Sequence, residues 1–501
     1  MIAIAAGQMV GVVGAGTMGA GIAQVAAAAG HPVRLLDARA GAAQAAHAQI
    51  GKSLAALVDK GRLNAGERDS LLARIVPAAS MADLADAAIV IEVIVEDLVA
   101  KQGLLRELEN HVSPQAILAS NTSTISVTAI AQGMRHPQRV AGMHFFNPVP
   151  QMKLVEVISG AETSPEVAAA VFNLAQRWGK TPVHATSTPG FIVNRIARPF
   201  YAEALQLLQE QAATPAVLDE LARAAGFRMG PCELMDLIGH DVNYAVTQSV
   251  FNATYGDRRF QPSLVQKALV DGGRLGRKSG QGFYGVNVPQ PAPESVAGLA
   301  PATLEVHGAS LLAEKLAHLL ERRGLPHARI VDSGWNGLLA DGVQLHLSDG
   351  RTAARLAAQR SQSALAVIDW PLGDAGGALG VAFAPAVTAG EQERIRAMLA
   401  ACGWQARVLR DAPGLLVART VSMLVNEAAD AVWQGVCDEQ AADQAMRLGT
   451  NYPAGPFEWL ERIGVASAVD LLDHLFDACR SDRYRVSPLL QRRYWIERSA
   501  A

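Results

Sequence analysis

The chain has no long apolar run, few cysteines and no excess of one charge. No stretch approaches the roughly 18 apolar residues that suggest a membrane span. Its 44 lysines and arginines nearly balance 47 aspartates and glutamates, giving a formal net charge of -3. This balance argues against nucleic acid or a membrane surface as the main partner.

Cysteine usage and the N-terminus bear on metals and on the compartment. The four cysteines form no CxxC or Cys/His spacing: Cys232, Cys402, Cys437 and Cys479. This pattern predicts no structural metal and a reducing compartment. The first residues, MIAIAAGQMVGVVG, lack the basic region of a signal peptide and run directly into a strand. We therefore expect a cytoplasmic protein.

Strand-like and helix-like patterns alternate in the first part of the chain. The apolar runs MVGVVG, PVRLLD, AAIVIEVI and AILASNTS are separated by helical stretches, one of which is a long helical region to about residue 73. The later runs RVAGMHFF and KLVEVISG complete the series. Strands separated by helices predict a parallel, doubly wound sheet. We place this α/β domain at residues 7–186 of the 501-residue chain.

The rest of the chain divides into three further segments. The pattern turns helical from TPGFIVNRI to GRKSGQGFYGV, which predicts an all-α domain at 187–286. A Pro-rich linker, NVPQPAPES, follows. Strands such as ARIVDS, VQLHLS, LAVIDW and GVAFAP predict a small mixed α/β domain at 302–410, to which the sequence assigns no chemistry. A second helical domain is predicted at 411–501.

The last segment is an internal repeat of the first helical domain. TPGFIVNRIARPFYAEALQLL (188–208) aligns with APGLLVARTVSMLVNEAADAV (412–432), and MGPCELMDLIG aligns with AGPFEWLERIG further on. The two copies differ where Asn194 faces Ala418. If Asn194 is functional, the second copy has lost that function and is kept for packing.

A glycine-rich turn follows the first strand. Gly14, Gly16 and Gly19 form G-x-G-x-x-G at the start of a helix, and Asp37 ends the second strand eighteen residues after Gly19. The glycines allow a tight turn, approach of a pyrophosphate and close helix packing, and a carboxylate at Asp37 can accept ribose hydroxyls and repel a 2′-phosphate. This context predicts a Rossmann domain that prefers NAD to NADP, although Arg39 lies nearby and a purely structural glycine turn is the alternative.

The stretch MHFFNPVPQMKLVEVI carries a histidine in one apolar run and a glutamate in the next. If the two runs are neighbouring strands, His144 and Glu156 can approach one another. A carboxylate bonded to one imidazole nitrogen leaves the other nitrogen as a base. A buried histidine beside an unrelated surface glutamate is the alternative reading.

Residues 8–286 resemble the NAD-dependent (S)-3-hydroxyacyl-CoA dehydrogenase family. The resemblance lies in six motifs in order: GAGTMGAGIAQVAA, EVIVEDLVAK, ASNTSTISVT, HFFNPVPQMKLVEV, TPGFIVNR and SGQGFY. The layout with two helical copies further resembles the longer bacterial members associated with phenylacetate breakdown. Those members act on 3-hydroxyadipyl-CoA or 3-hydroxybutyryl-CoA, and the sequence does not choose between the two acyl chains.

The resemblance implies a set of catalytic residues. The general acid/base falls on His144 and its carboxylate partner on Glu156. The residue that hydrogen-bonds the substrate hydroxyl falls on Ser123, for which a strand-end cap is the alternative. Asn194 is expected to fix the reacting oxygen, and Asn147 to support the histidine pocket, unless it only forms the turn before a proline.

The resemblance also implies binding residues. Those expected at NAD are Gly14, Gly16, Thr17, Met18, Gly19, Asp37, Glu96, Lys101 and Asn121. Glu96 and Lys101 match positions that border the nicotinamide ribose, although a solvated pair of charges at a helix start would look the same. Ser53 and Lys60 match positions that contact the CoA moiety, with an ordinary solvated lysine as the alternative for the second.

These expectations make the protein an enzyme of acyl-CoA oxidation with its substrate between the Rossmann domain and the helical block. In short family members the helical domain mediates dimerisation, so we expect a homodimer or an intrachain pseudo-dimer formed by the repeat. Two other functions fit the same fold. One is a dehydrogenase of free 3-hydroxy acids, and the other is a catalytically retired, crystallin-like binding protein.

Overall fold

The computed structural model describes residues 4–285, 301–362, 364–373 and 376–500. The Pro-rich linker at 287–295 lies outside these ranges. The chain divides into two compact units, Met1–Asn194 with Gly435–Thr450 and Arg195–Gln434 with Asn451–Ala501. Within the described ranges, every helix is too short or too polar to cross a membrane.

The first unit is built on an eight-stranded sheet. Its strands are β1 (Met9–Val13), β2 (Val33–Leu36), β3 (Ile75–Pro77), β4 (Ala87–Glu92), β5 (Ile117–Ser120), β6 (Val140–Phe145), β7 (Leu154–Ser159) and β8 (Thr181–Thr186). Their order is β3-β2-β1-β4-β5-β6-β7-β8. The sheet is parallel as predicted except that β6 and β7 are antiparallel. The segment joining these two strands is too short for the crossover that a parallel pair needs.

Helices cover this sheet. They are α1 (Thr17–Ala28), α2 (Ala42–Asp59), α3 (Ala65–Arg74), α4 (Leu98–Leu108), α5 (Val127–Ile130), α6 (Pro165–Arg177) and α7 (Val193–Ile196), the last of which spans the boundary between the units. The long helical region predicted to about residue 73 consists of two helices, α2 and α3. The second begins at Asn64, whose side chain accepts a hydrogen bond from Glu67 N–H in a capping box that starts a new helix.

The second unit contains the first helical domain. Its helices are α8 (Arg198–Gln209), α9 (Pro215–Ala224), α10 (Pro231–Ile238), α11 (His240–Ala253) and α12 (Leu264–Asp271). The SGQGFY motif folds back on α10, where the Asp236 carboxylate accepts hydrogen bonds from Phe283 N–H (2.9 Å) and Tyr284 N–H (3.0 Å). A Cβ at Gly282 would lie 2.0 Å from that carboxylate, so the motif needs glycine there.

The second sheet has seven strands and also belongs to the second unit. They are β9 (Leu304–His307), β10 (Ala328–Ile330), β11 (Gly337–Ala340), β12 (Val343–Leu347), β13 (Leu365–Ile368), β14 (Gly377–Phe383) and β15 (Trp404–Val408). Their order, β10-β9-β11-β12-β13-β14-β15, repeats the order of the first sheet from β2 to β8. The helices α13 (Leu311–Arg322), α14 (Ala353–Arg360) and α15 (Ala389–Ala401) accompany them.

This second sheet is a reduced copy of the first, which the sequence did not reveal. β9 is followed by Gly308 with φ 95°, as β1 is followed by Gly14 with φ 111°. Ser310 and Ala313 then stand where the first copy has its other two glycines. β11 is antiparallel to both neighbours because it is joined to β12 by a tight turn instead of a crossover. The repeat therefore covers the sheet domain as well as the helical domain.

The second helical domain consists of α16 (Val417–Trp433), α17 (Glu439–Thr450), α18 (Pro456–Ile463), α19 (Val465–Cys479) and α20 (Pro488–Ala500). The segment with α17 belongs to the first unit, where Val436 C=O accepts a hydrogen bond from Thr186 N–H at 2.9 Å. In the second unit, Ala212 C=O accepts an equivalent bond from Arg410 N–H at 2.9 Å. Each sheet thus carries a segment from the helical domain of the other copy.

Reciprocal ion pairs join the two helical copies within the second unit. Arg195 Nε lies 2.6 Å from Glu427, and Arg419 Nε lies 2.7 Å from Glu203. Arg419 and Glu427 each lie 224 positions after their counterparts, Arg195 and Glu203. Such exchange of identical contacts is the arrangement that a two-fold dimer interface would have.

Candidate active site

The glycine-rich turn is shaped for a pyrophosphate. Gly14 has φ 111°, and a Cβ there would lie 2.5 Å from Val93 O. A Cβ at Gly19 would lie 1.8 Å from Gly14 O, whereas a Cβ at Gly16 would meet nothing within 4 Å. Gly16 therefore leaves open space in front of the twelve-residue helix α1, whose first residues are Thr17 and Met18. The free N–H groups and the dipole of this helix end suit a phosphate, so these residues fit NAD.

Asp37 joins the turn to the end of β2. Its carboxylate accepts hydrogen bonds from Ala15 N–H (2.8 Å), from Arg39 N–H (2.9 Å) and from the Arg39 guanidinium (3.1 Å). The hydrogen bond from the Arg39 side chain is the main reason that the pKa of Asp37 falls to about 2. Asp37 is therefore ionised, but it is paired with Arg39, whose side chain is 73% exposed.

Glu92, at the end of β4, is a buried residue that the sequence reasoning missed. Its carboxylate accepts hydrogen bonds from Ser120 Oγ (2.6 Å), Ile94 N–H (2.7 Å) and Lys101 Nζ (2.8 Å). The Lys101 side chain is only 1% exposed. The alternative of a solvated charge pair is therefore wrong for Lys101. A glutamate in the otherwise apolar run AAIVIE was the available signal.

Glu96 instead lies against the SNTS segment. One of its carboxylate oxygens accepts hydrogen bonds from Thr122 Oγ1 (2.7 Å), Ser123 N–H (2.9 Å) and Thr124 N–H (3.1 Å). The other oxygen lies 3.3 Å from Lys101 Nζ. This carboxylate holds the loop after β5, so Glu96 positions Ser123.

His144 and Glu156 are register partners on the antiparallel strands β6 and β7. His144 Nδ1 lies 2.6 Å from Glu156 Oε2, and the Glu156 side chain is fully buried. Because an ionised carboxylate only accepts hydrogen bonds, Nδ1 carries the proton and donates it. The neutral ring then has its lone pair on Nε2, the nitrogen that a general base uses.

The TPGFIVNR motif holds Glu156 from the other side. Glu156 Oε1 accepts hydrogen bonds from Ile192 N–H (3.0 Å) and Val193 N–H (2.9 Å) at the start of α7. The chain turns there through Gly190 (φ 77°) and Phe191 (φ 48°), an uncommon conformation for a bulky residue. Glu156 therefore has three donors, which keep its carboxylate in one position.

The asparagines of the predicted site have different surroundings. Asn194 Nδ2 lies 3.5 Å from Ser123 O, so the structure brings these two residues together. Asn121 Oδ1 accepts a hydrogen bond from Phe145 N–H at 2.8 Å and thereby ties β5 to β6. Asn147 is exposed, and its peptide bond to Pro148 is cis.

Ser53 and Lys60 lie on and just after α2, respectively. The Ser53 hydroxyl donates to Gln49 O at 3.1 Å within the helix. Lys60 is the exposed residue at the C-terminus of α2. Their expected contact with CoA stays a prediction.

The second copy lacks the histidine–glutamate pair. Asp369 follows β13, the counterpart of β6, and its N–H donates to Gly380 O on β14 at 2.9 Å. Asp369 and Gly380 thus stand where the first copy has His144 and Glu156. The Asp369 carboxylate accepts hydrogen bonds from three backbone N–H groups at the start of α16, those of Leu416 (3.0 Å), Val417 (2.7 Å) and Ala418 (2.8 Å). Asp369 therefore contacts a helix start as Glu156 does in the first copy, but it occupies the position of the histidine.

Hydride transfer to a nicotinamide requires a bound dinucleotide and a group that takes a proton. The first unit holds a glycine turn suited to a dinucleotide and a histidine–glutamate pair suited to taking a proton. These are the features of a nucleotide-dependent dehydrogenase. No cluster of histidine, cysteine and carboxylate side chains that could hold a metal ion occurs in the part of the chain that the structure describes.

Comparison with protein families identifies the class more closely. The model of the 3-hydroxyacyl-CoA dehydrogenase NAD-binding domain matches residues 9–188, and that of the C-terminal domain of the same enzymes matches both 190–286 and 414–498. The 3-hydroxybutyryl-CoA dehydrogenase reduced Rossmann-fold domain matches 345–413. The chain belongs to the family of NAD-dependent 3-hydroxyacyl-CoA dehydrogenases, and NAD is its cofactor.

Known relatives support this assignment. The chain is 43% identical over 493 residues, 98% of each chain, to 3-hydroxyadipyl-CoA dehydrogenase of Escherichia coli (strain K12). It is 42% identical over 55% of its length to a probable 3-hydroxybutyryl-CoA dehydrogenase of Deinococcus radiodurans, covering 98% of that protein. The crystal structure of 3-hydroxybutyryl-CoA dehydrogenase from E. coli K12 superposes with a TM-score of 0.89 at 42% identity, covering 99% of this chain and all of the other.

Proposed function

We propose that the protein oxidises an (S)-3-hydroxyacyl-CoA to the 3-oxoacyl-CoA with His144 as the general base. The observation that carries this proposal is the buried pair of His144 and Glu156, which leaves Nε2 with the lone pair. Bound NAD supplies the acceptor for the hydride that leaves C3 of the substrate. The same carbon's hydroxyl proton goes to His144.

Glu156 stabilises the protonated His144 that this transfer produces. The His144 ring becomes a cation when it takes the proton, and the adjacent carboxylate balances that charge at 2.6 Å. Because three donors hold the carboxylate, it does not have to move during the reaction. General-base help of this kind is worth about 100- to 10,000-fold in rate.

Ser123 and Asn194 are proposed to bind the reacting oxygen and the thioester. Glu96 orients Ser123 through the loop after β5, and the Asn194 amide lies 3.5 Å from the Ser123 carbonyl. Asn147 is proposed to support the histidine pocket. Asp37 is proposed to accept hydrogen bonds from the ribose hydroxyls of NAD once its hydrogen bond from the Arg39 guanidinium opens.

The proposed substrates are short acyl-CoA thioesters, with a place in fatty acid or phenylacetate breakdown. Support comes from the E. coli 3-hydroxyadipyl-CoA dehydrogenase, which matches over 98% of the chain, and from the shorter 3-hydroxybutyryl-CoA dehydrogenases. Oxidation kinetics with 3-hydroxyadipyl-CoA, 3-hydroxybutyryl-CoA and free 3-hydroxybutyrate test the proposal. Turnover of both thioesters far above the free acid is expected. Equal use of the free acid, or NAD binding without any turnover, would refute it.

We further infer that the repeat forms an intrachain pseudo-dimer. The reciprocal pairs of Arg195 with Glu427 and Arg419 with Glu203 support this reading. Light scattering on the full chain is expected to give the 52.8 kDa mass of a single chain. A stable mass twice as large would favour a homodimer instead.

A further inference from the structure

Arg198, at the start of α8, is a buried cation without a carboxylate. Only 5% of it is exposed, and no acidic partner contacts it among the residues that the structure describes. Its Nη1 donates to Thr247 Oγ1 at 3.1 Å, its guanidinium lies 4.9 Å from the centre of the Tyr201 ring, and its Nε has no partner. Burial without a carboxylate lowers the pKa of this guanidinium. An unpaired buried charge is strongly unfavourable, so its presence needs a reason.

Three other buried arginines of the two helical copies show the contrast. Arg195 and Arg419 each contact a glutamate carboxylate. Arg259 pairs with Asp257 and Asp430. Of these four arginines, Arg198 is the one with no carboxylate partner among the described residues, and it has open room beside it.

That room is a cavity of about 230 Å³. Among the described residues, no aspartate or glutamate lines it, and four arginines do: Arg198, Arg258, Arg259 and Arg483. Thr247 and Gln266 add polar groups, while Leu205 and Phe260 add apolar surface. The lining therefore suits a small organic anion with an aliphatic part, because a guanidinium fork matches a carboxylate.

The repeat shows that the fold does not need this cation. In the second copy the position equivalent to Arg198 is Ser422, and Leu472 and Leu490 stand where Thr247 and Gln266 stand in the first copy. All three are buried. The second copy, which has Ala418 in place of Asn194, therefore also lacks the arginine and the polar lining. Arg198 occurs only in the copy that keeps the proposed substrate residue.

We propose that the cavity around Arg198 is a carboxylate-binding site. A short aliphatic carboxylate in this cavity pairs with the Arg198 guanidinium. The occupant is either the terminal carboxylate of a dicarboxylic acyl chain or a free short dicarboxylate. Both sources supply the same chemistry, and the experiment distinguishes them. The acyl-chain source rests on the proposed function, whereas the free dicarboxylate does not.

The test uses the full chain with Arg198→Met, which keeps length and removes the charge. Arg322→Gln on the exposed face of α13 is the matched control for loss of one arginine. The kinetic arm compares kcat/KM for 3-hydroxyadipyl-CoA and 3-hydroxybutyryl-CoA. The binding arm measures the shift of the unfolding temperature with adipate, with neutral adipamide and with inorganic phosphate. Should Arg198→Met fail to fold, Arg198→Ser copies the residue that the second repeat tolerates.

An acyl-chain occupant predicts that Arg198→Met loses about 30-fold or more with the adipyl substrate and stays within about threefold with the butyryl substrate. If the occupant is a free dicarboxylate, adipate should stabilise the wild type but not Arg198→Met, and adipamide should stabilise neither. The ratio of kcat/KM for the two substrates should then be the same in both proteins. If neither effect appears, or if phosphate alone stabilises, the carboxylate site is refuted. A wild type inactive on both thioesters would refute the proposed function and leave the binding arm to decide the site.

Discussion

Arg195 Nε lies 2.6 Å from Glu427 Oε1, and the two residues belong to different copies of the helical repeat. The same contact recurs in reverse between Arg419 and Glu203. A homodimer would bury such pairs between two chains, whereas this protein makes them within one. The second copy therefore has a structural role that does not depend on the catalytic residues it lacks.

Glu203→Gln is predicted to destabilise the protein strongly. Glu203 contacts Arg419 at 2.7 Å and Arg483 at 2.6 Å, and all three side chains are largely or wholly buried. Removing the carboxylate takes from both guanidiniums their shortest acidic contact and leaves Arg419 with Glu210 at 3.4 Å, so we expect a cost of about 3 kcal/mol. Urea unfolding measures the loss. Asp271→Asn, which breaks an exposed pair with Lys267, is the control and should cost less than about 1 kcal/mol. Equal losses would contradict the importance of the reciprocal pairs.

Asp37→Ser is predicted to weaken the preference for NADH over NADPH. The substitution removes the acceptor proposed for the ribose hydroxyls and frees Arg39, now 3.1 Å from the carboxylate, to meet a 2′-phosphate. The ratio of the KM values for NADPH and NADH should fall by about tenfold or more, the size of one charge-assisted hydrogen bond. Arg39→Gln keeps the carboxylate and should keep the preference. An unchanged ratio in Asp37→Ser would refute the role of Asp37.

His346 is predicted to make the protein lose stability in acid. Burial is the main cause that lowers the pKa of His346 to about 3, with Arg360 and Arg351 adding to it and Asp349 opposing it. Between about pH 6.5 and pH 3 the unfolded chain binds a proton at this residue and the folded chain does not. Stability therefore falls as the pH falls through that range, by up to about 1.4 kcal/mol per pH unit.

His346→Phe keeps the ring beside Trp335, whose centre lies 4.4 Å away, and removes the titration. Unfolding in urea between pH 7 and pH 4 should then show a shallower slope than in the wild type. His318→Gln, on an exposed face of α13, should leave the slope as it is. The same slope in His346→Phe would show that other groups cause the acid loss.

Glu156→Gln is predicted to lower kcat by about 100-fold, within the range of general-base catalysis. An amide in place of the carboxylate no longer balances the imidazolium charge or ensures that Nδ1 is the donor. The KM for NADH should change little, because Glu156 contacts His144, Ile192 and Val193 and not the glycine turn. A kcat within tenfold of the wild type would show that Glu156 acts only as a cap for α7.

The first sheet and its site could largely be predicted from the sequence because their signals are local. Apolar runs of strand length gave the strand positions, and the glycine turn lies next to β1. The pairing of His144 with Glu156 was different, since spacing alone favoured a buried histidine beside an unrelated surface glutamate. The register of β6 and β7 resolves it, because it sets the two residues directly opposite each other.

Three features could not be predicted, since each depends on distant residues. Glu92 is buried because Ser120 and Lys101 supply its donors. The second sheet keeps Gly308 but has lost the other two glycines of the motif, so the duplication is recognised mainly from its strand order. Arg198 reads as an ordinary helix-start cation until its burial is known.

The steady-state rate of His144→Gln with NAD and 3-hydroxybutyryl-CoA tests the central claim most directly. Glutamine keeps much of the volume of the ring but has no base, so kcat should fall at least about 100-fold. NADH binding, measured by fluorescence titration, should stay within a few-fold of the wild type and show that the fold is intact. A variant that binds NADH and keeps its kcat within tenfold of the wild type would contradict His144 as the general base.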